Sequence, residues 1–395
     1  MSEFQSSNFI KENGGTPDLL GKTELTSPYF FVPPSGTTAE RPASCAAGTL
    51  RFNTDIGTLE VYRGDTIGWE QIQRRDNQYL GGNVGGAGSN AGTGTRIFYA
   101  GGTNDGSDSA VIDYGTTSTL GDFQDFGDLL STVGFPNDSR ACSTTRGIIA
   151  GSGDAENNHG NVIQFITVSS LGDAIDFGDL TFSNMQPHGF SNNVRGVFGG
   201  GYSPQPSTVD TVNYITIAQT GNAIDYGDLV NRGRGGAAYA STTRGVIHGG
   251  RHSPDGSFGN AAITNVIQFT TIATTGDFND FGDATDARDF LSGGSNATRG
   301  IVTGGRDPNA TNLIEFTTIA TTGNAADFGD LTQAVDEHSA SASALRAFSL
   351  GGTPTPTVNI IEFVEITTLG NAKDFGDLTA VRSHGASFTN GHGGL

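Results

Sequence analysis

Residues 323–331 read GNAADFGDL and set Asp327 and Asp330 three apart around a Phe-Gly pair. Nearly the same run stands at DFQDFGDL (122–129), DAIDFGDL (173–180), NAIDYGDL (222–229), DFNDFGDA (277–284) and NAKDFGDL (371–378). The other pairs are thus Asp125 and Asp128, Asp176 and Asp179, Asp225 and Asp228, Asp280 and Asp283, and Asp374 and Asp377. A catalytic carboxylate pair is needed once, whereas an architectural device is needed once per structural unit. Six copies direct attention to an internal repeat.

Other features keep phase with the motif. Each unit opens on an arginine and a short apolar run, at Arg96, Arg146, Arg195, Arg244, Arg299 and Arg346, and most of these runs end in a pair of glycines. A variable loop follows, then segments such as NVIQFTTIA (265–273), rich in β-branched and aromatic residues without helical spacing. Small-residue stretches such as AAYASTT (237–243) precede the arginines and suit a strand packed where only Ala, Ser and Gly fit. Four short strands per unit of about 50 residues match the β-propeller period, nearer to kelch than to the shorter WD repeat. The last stretch, TAVRSHGASFTNGHGGL (379–395), aligns with the small-residue strand but lacks the Arg-Gly strand that should follow. The first unit has only GGNVGGAGSNAGTGT (81–95) ahead of Arg96. The expected fold is therefore all-β: a six-bladed propeller closed by a C-terminal strand around Gly385–Asn390, since an open array exposes unpaired edges. A linear β solenoid is the rival topology.

In the architectural reading, the aromatic between the aspartates (Phe126, Phe177, Tyr226, Phe281, Phe328, Phe375) is buried between units and the glycine makes the turn. The aspartates would accept turn amides or pair with the repeating arginines. A structural calcium at one or more units is the functional alternative, although that ion wants six to eight oxygen ligands and DFNDFGD (277–283) lacks helix-loop-helix spacing. Catalytic carboxylates are disfavoured, because identical pairs do not supply the asymmetry that separates an acid from a base. No cofactor and no dedicated metal site are expected.

Composition narrows the function. Lys+Arg 21 against Asp+Glu 41 gives a net charge of −20. That argues against a nucleic-acid groove and against an anionic membrane surface. No apolar run is long enough for membrane insertion, and MSEFQSSNFIKENGG (1–15) shows no secretory pattern. Cys45 and Cys142 read as two free thiols. The seven histidines form no ligand cluster, and no nucleophile elbow or phosphate loop is present, so an enzyme is not expected. Binding would lie in the variable loops after the glycine pair, where Tyr202, Arg251, His252, Phe258 and Arg306 are candidate contacts; solvated connectors are the alternative.

The first part of the chain stands outside the repeat. Residues 1–34 read as an extended arm in which Tyr29, Phe30, Phe31 and Val32, bounded by prolines, dock on a partner; a partly disordered tail lying on its own propeller is the alternative. Residues 35–75 read as a small β module: TLRFN and TLEVY form a hairpin and GWEQI a third strand. Its expected core is Leu50, Phe52, Leu59, Val61, Tyr62, Trp69 and Ile72, too little to be stable without a neighbour or a second copy. Residues 76–95 form a Gly-rich linker, and 96–395 the propeller.

The segment GTTAERPASCAAGTLRFNTDIGTLEVYRGDTIGWEQI (36–72) closely resembles a small β module of structural and fibre proteins from tailed bacteriophages. Glu40, Arg41, Pro42, Gly48, Leu50, Arg51, Asn53, Thr54, Asp55, Gly57, Leu59, Glu60, Tyr62, Gly64 and Trp69 match in order; Ile56 and an extra residue or two before Trp69 depart from it. The repeats resemble those of large virion-associated proteins of cyanobacterial phages and, more loosely, kelch-type propellers. The resemblance implies a virion component (fibre, neck or capsid-attached appendage) localised to the particle. It would dock on other virion proteins through residues 1–75, with Trp69 in the docking set, and form a homo-oligomer, trimers being common among phage fibres. Its propeller would touch the host surface or a glycan. The resemblance brings no catalytic residues. A glycan-active enzyme on a propeller scaffold and an intracellular kelch-type platform are the alternatives.

Overall fold

The computed structural model describes residues 33–55, 58–65, 68–71, 95–104, 106–136, 138–151, 153, 160–203, 208–257, 260–354 and 356–395. The chain divides into two compact units after Arg75. Both are built of β-strands, and no α-helix occurs among the described residues. Tyr29, Phe30, Phe31, Val32, Ile72 and Phe258 lie outside the described residues.

In the first unit, Leu50–Asn53 pairs antiparallel with Thr58–Tyr62, which pairs with Trp69–Gln71. Ser35–Gly36 adds a parallel partner to Phe52 and Asn53. Alternation separates the two faces of this sheet as the sequence suggests, but the face turned inward is the polar one. Arg51, Asn53, Glu60 and Tyr62 are buried, whereas Leu50 is 43% and Leu59 37% exposed. Phe52, Val61 and Trp69 are half-buried. The expected core is corrected accordingly. The inward face is satisfied by an ionic network, which a buried charge requires. The Arg41 guanidinium pairs with Glu60, Asn53 Nδ2 donates to Glu60 Oε1 at 3.1 Å, and Arg51 Nη2 donates to Thr37 O at 2.9 Å. Arg41 holds the Glu60 carboxyl below its usual range. The Trp69 indole donates to Pro42 O at 3.0 Å, under the Arg51 guanidinium 5.7 Å from its centroid.

The second unit repeats one antiparallel sheet of four strands. The sheets are Arg140–Cys142, Arg146–Ala150, Gly160–Thr167 and Ile175–Asn184; then His188–Ser191, Arg195–Gly199, Thr211–Thr216 and Ile224–Asp228. Next come Ala237–Ala240, Arg244–His248, Val266–Thr271 and Asn279–Asp283; then Ser292–Ser295, Arg299–Thr303, Thr311–Thr318 and Ala326–Val335. The fifth is Ser339–Ala342, Arg346–Leu350, Ile360–Glu365 and Lys373–Asp377. The strand Ala386–Thr389 pairs antiparallel with Arg96–Ala100, from Ala386 opposite Ala100 to Thr389 opposite Ile97. Ser107–Thr116 and Gln124–Val133 complete that sheet. The first strands lie beside one another in chain order, and Ala386–Thr389 neighbours both Ser339–Ala342 and Arg140–Cys142.

The Asp-Phe-Gly-Asp run is a β-bulge in the fourth strand. In the 244–283 hairpin Gly282 faces Ile267 and Asp280 faces Gln268, leaving Phe281 as the extra, unpaired residue. The bulge turns that aromatic inward, where Phe126, Phe177, Tyr226, Phe281, Phe328 and Phe375 are all buried. They pack between sheets: Phe126 shares a cluster with Phe98 of its own sheet and with Ile149, Val168 and Ala174 of the next. Burying such a ring contributes about 2–3 kcal/mol. The bulge glycine is required twice over. Gly282 has φ +147°, and a Cβ there would meet the backbone of Gly323 in the next sheet at 2.6 Å.

The aspartates of the motif do not bind as expected. Those at its first position are exposed, those at its second exposed or half-buried, and among the described residues no ion pair joins either to a repeating arginine. The arginines instead bridge sheets. Arg146 Nη1 donates to Ile217 O at 2.8 Å and Arg299 Nη1 to Ile366 O at 2.9 Å, while their guanidiniums cover Phe165 at 4.6 Å and Phe316 at 4.9 Å. Turn amides go to the residue three before the first aspartate: Asp283 N donates to Asn324 Oδ1 and Asp377 N to Asp122 Oδ1, both at 3.1 Å. The bulge explains the difference, since turning the aromatic inward leaves its flanking carboxylates on the solvent side.

A second bridge uses one polar residue of each third strand. Gln164 accepts Leu130 N at 2.9 Å, Asn213 accepts Thr181 N at 3.0 Å and Gln268 accepts Val230 N at 2.9 Å. Glu315, Glu362 and Asp113 do the same for Thr285, Thr332 and Thr379. Asp113 and Glu315 carry buried cations, Arg382 and Arg288.

Candidate functional site

The repeat superposes positions that the sequence does not align by identity. Before five of the six small-residue strands, the residue two positions ahead lies in the left-handed region: Gln186 (φ 56°), Gly235 (φ 68°), Phe290 (φ 52°), Glu337 (φ 54°) and His384 (φ 59°). Among the described residues these four side-chain-bearing positions are the whole set of non-glycine residues with positive φ. Each such residue costs about 1–2 kcal/mol. Backbone bonds link neighbours, with Glu337 N donating to Phe290 O at 3.2 Å and His384 N to Glu337 O at 2.6 Å.

The residue preceding each of these pairs with the first residue after a glycine pair. Met185 faces Tyr202, Arg234 faces Arg251 and Asp289 faces Arg306. Three of the sequence-derived contacts, Tyr202, Arg251 and Arg306, thereby stand on consecutive repeats at one edge. His252, next to Arg251, pairs back onto Gly233 and is half-buried. Burial, with His188 nearby, pushes it down to about 4.

The side chains around this edge interlock. Arg234 lies over the Tyr202 ring at 5.4 Å and over Phe290 at 5.7 Å, and Arg306 covers Phe290 at 4.4 Å. Asp289, fully buried, pairs with Arg251 and stands 3.8 Å from Arg306 Nε. Arg306 Nη1 also reaches Asp336 at 2.7 Å and Glu337 at 3.0 Å. His384 sits 3.5 Å from Glu337 and edge-on to Phe135 and Phe290, with centroids 4.6 and 6.0 Å away. Despite burial, His384 and Arg306 hold Glu337 down to about 2. Burial lowers Arg234, with Arg251 and Arg306 adding repulsion that Tyr202 and Asp289 oppose.

Phe290, Arg234, Asp289, Asp336, Glu337 and His384 escape sequence reasoning. Their fixed offsets, three residues (Arg234, Asp289, Asp336) or two (Phe290, Glu337, His384) before the small-residue strand, are the signal that could have found them, but no one chemistry recurs at either offset.

The acidic pairs are not gathered into one place; each stays at the bulge of its own sheet. Slight burial, then Asp122 and Asp374, push Asp377 up. Among the described residues no group of three or more His, Cys, Asp and Glu is arranged to hold a metal ion. A groove of about 410 Å³ holds Asp176 and Asp179, and its described lining has neither a cation nor an aromatic ring. At the small-residue strands a cavity of about 40 Å³ is lined by residues including Cys142, Ser191, Ser295 and His392. It is closed by the final residues, where His392 Nε2 bonds Cys142 O at 2.7 Å and Gly393 N donates to Ser295 O at 2.8 Å. A sugar or cofactor does not fit there.

No protein-family model matches the chain, and no curated protein matches it.

Proposed function

We propose that this protein is a structural component of a tailed-phage particle, fixed by residues 1–75 and displaying residues 96–395 as a closed six-bladed β-propeller. In this reading it is not an enzyme and carries no resident cofactor. Its partners are other virion proteins and further copies of itself, a trimer by analogy with phage fibres, and the displayed face meets the host surface.

The observation that carries the reading is the first unit. Six of the residues on which the phage resemblance rests, Arg41, Arg51, Asn53, Glu60, Tyr62 and Trp69, take part in its network of ion pairs, hydrogen bonds and ring contacts. The opposite face leaves Leu50 and Leu59 to solvent, which suits a module stabilised by an assembly partner. Closure of the ring is supported by contacts that run from the last repeat to the first as they do between any two neighbours. Asp377 N meets Asp122, Thr379 N meets Asp113 Oδ2 at 3.1 Å and Arg346 Nη1 meets Thr117 O at 3.2 Å.

Immunogold labelling of purified particles with antibody to the full chain tests this. Gold at a fixed place on the particle is expected. Label confined to the host-cell lysate, with particles bare, overturns it.

A further inference from the structure

We infer that one end of the second unit, carrying Leu369, Leu120 and Leu171 on the turns after the third strands, docks a basic amphipathic segment of a partner protein. That segment would alternate apolar residues with lysine or arginine. This deepens the assembly reading above and rests on it for the biological setting, although the chemistry is local to the second unit.

Three observations meet there. The first is position. Arg346 faces Glu365, Arg96 faces Thr116, Arg146 faces Thr167 and Arg195 faces Thr216. The residue before each repeating arginine and the turn after each third strand therefore share one end of the sheet. The arginine bridges set these ends side by side. Arg346 Nη1 donates to Thr117 O at 3.2 Å, Arg96 Nη1 to Val168 O at 2.7 Å and Arg146 Nη1 to Ile217 O at 2.8 Å. The sheets of Arg346, Arg96, Arg146 and Arg195 are thus successive neighbours.

The second is apolar surface that the fold does not require. Leu369, Leu120 and Leu171 are 61%, 62% and 60% exposed. Val194 and Leu345, each just before a repeating arginine, and Ile175 and Ile224, each just before a motif aspartate, are exposed at the same end. The repeat supplies its own control. The other two sheets carry Thr275 and Thr322 at the turn position, Thr243 and Thr298 before the arginine, and Asn279 and Ala326 before the aspartate. The same backbone therefore forms without a large apolar side chain at any of these places. Exposed apolar groups on four adjacent sheets mark an interaction surface.

The third is charge. Gly121 N donates to Phe375 O at 2.9 Å, Gly172 N to Phe126 O at 3.0 Å and Gly370 N to Phe328 O at 2.9 Å. Each bond sets an exposed leucine against a neighbouring strand that bears an exposed aspartate, Asp374, Asp125 or Asp327. In the four repeats the aspartate pairs, with Asp122, Asp173 and Glu365, place eleven carboxylates against five cations, Lys373 and the four arginines. Those arginines lie over Tyr114, Phe165, Tyr214 and Phe363, 4.4–5.0 Å from the ring centroids. Asp122 and Asp374 add to slight burial in pushing Asp377 up, with no cation offsetting them. The stretch GGNVGGAGSNAGTGT (81–95) ahead of Arg96 offers one valine and no cation, and a second copy would bring the same carboxylates. The complementary occupant is both apolar and cationic.

Isothermal titration of the full-length protein with three synthetic peptides of equal length tests the surface: one alternating Leu and Lys, one alternating Leu and Glu, and one alternating Ser and Lys. The Leu/Lys peptide should bind at least tenfold more tightly than the Ser/Lys peptide, and the Leu/Glu peptide should not bind. Leu120→Thr, Leu171→Thr and Leu369→Thr combined, which copy the residue of the other three repeats, should weaken binding at least tenfold. Leu130→Thr, further along a fourth strand, should leave it unchanged. Thermal unfolding checks the triple variant; should it unfold, Asp125→Asn combined with Asp374→Asn replaces it and should weaken binding several-fold. No binding of the Leu/Lys peptide, equal binding of the Ser/Lys peptide, or unchanged binding by the folded variant overturns the inference. Sedimentation velocity covers the other occupant: self-association lost in the triple variant assigns the surface to a second copy and overturns it too. Particle labelling is read separately, so the virion assignment and the docking surface fail independently.

Discussion

Glu362 accepts the backbone N–H of Thr332 at 3.2 Å, at the station where Gln268 accepts that of Val230 at 2.9 Å. The two sites differ in charge and not in geometry. Asp113 and Glu315 at the same station are neutralised by Arg382 and Arg288, four residues before a small-residue strand; in the repeat that Glu362 bonds, that position is Val335, and no ion pair to Glu362 occurs among the described residues. Burial pushes its carboxyl up to about 7, against the opposing bond from Thr332.

Glu362→Gln should therefore stabilise the protein, since two other repeats already use Gln there. A carboxyl whose folded value is raised favours folding most when protonated, and that contribution is lost as pH rises from about 4.5 to about 7. The gain should be about 1–2 kcal/mol at pH 8 and vanish near pH 4. Urea denaturation at both pH values measures it, and equal midpoints at pH 8 would refute the isolated-carboxylate account.

The buried histidines act in the opposite sense. Burial pushes His188 and His392 down to about 4 and His338 to about 3, from 6.5. Depressed imidazoles bind protons more readily in the unfolded chain, so stability should fall as pH drops below 6.5 and continue falling towards 4. His338 accepts or donates at Thr303 Oγ1, 2.8 Å away, deep between sheets. His338→Gln should flatten the acid limb of a melting-temperature profile between pH 6.5 and 4; an unchanged slope would assign the limb to other groups.

Gly282→Ala should destabilise by roughly 2–4 kcal/mol, more than most surface changes. The methyl group meets the Gly323 carbonyl, and φ +147° is unfavourable to an L side chain. Differential scanning calorimetry gives the value, and a loss under about 0.5 kcal/mol would contradict the close approach.

Asp280→Ala and Asn324→Ala separate the two acidic-looking positions of the motif. Asp280 is exposed, whereas Asn324 Oδ1 accepts Asp283 N across the sheet boundary. The first should change stability by less than about 0.5 kcal/mol and the second should cost about 1 kcal/mol. Reversal of that order in chemical denaturation would return the clasp to the repeated aspartates.

The all-β character and repeating four-strand unit were legible because β-branched alternation, glycine pairs and a period near 50 residues are local signals that recur. That Tyr202, Arg251 and Arg306 stand at equivalent places was legible for a related reason: each follows a glycine pair in a segment that varies while its frame repeats. What the motif does with its polar groups was not legible. Asp-Phe-Gly-Asp looks like a hydrogen-bonding device, yet the bulge register puts the aromatic inside and hands the amide to Asn324 or its counterparts one repeat later. The first unit shows the same limit. Its alternation defines two faces, but which one is buried depends on Arg41 reaching Glu60 from outside the strands.

The strand period and the positions of turns are dictated by backbone preference and side-chain spacing within a few residues, so the order of amino acids alone determined them. The convergence of Arg234, Phe290, Glu337 and His384 on one edge was decided only by tertiary structure. These residues lie about one repeat apart in the chain, and their charges and rings meet because sheet packing brings equivalent positions side by side, a distance that no local preference encodes.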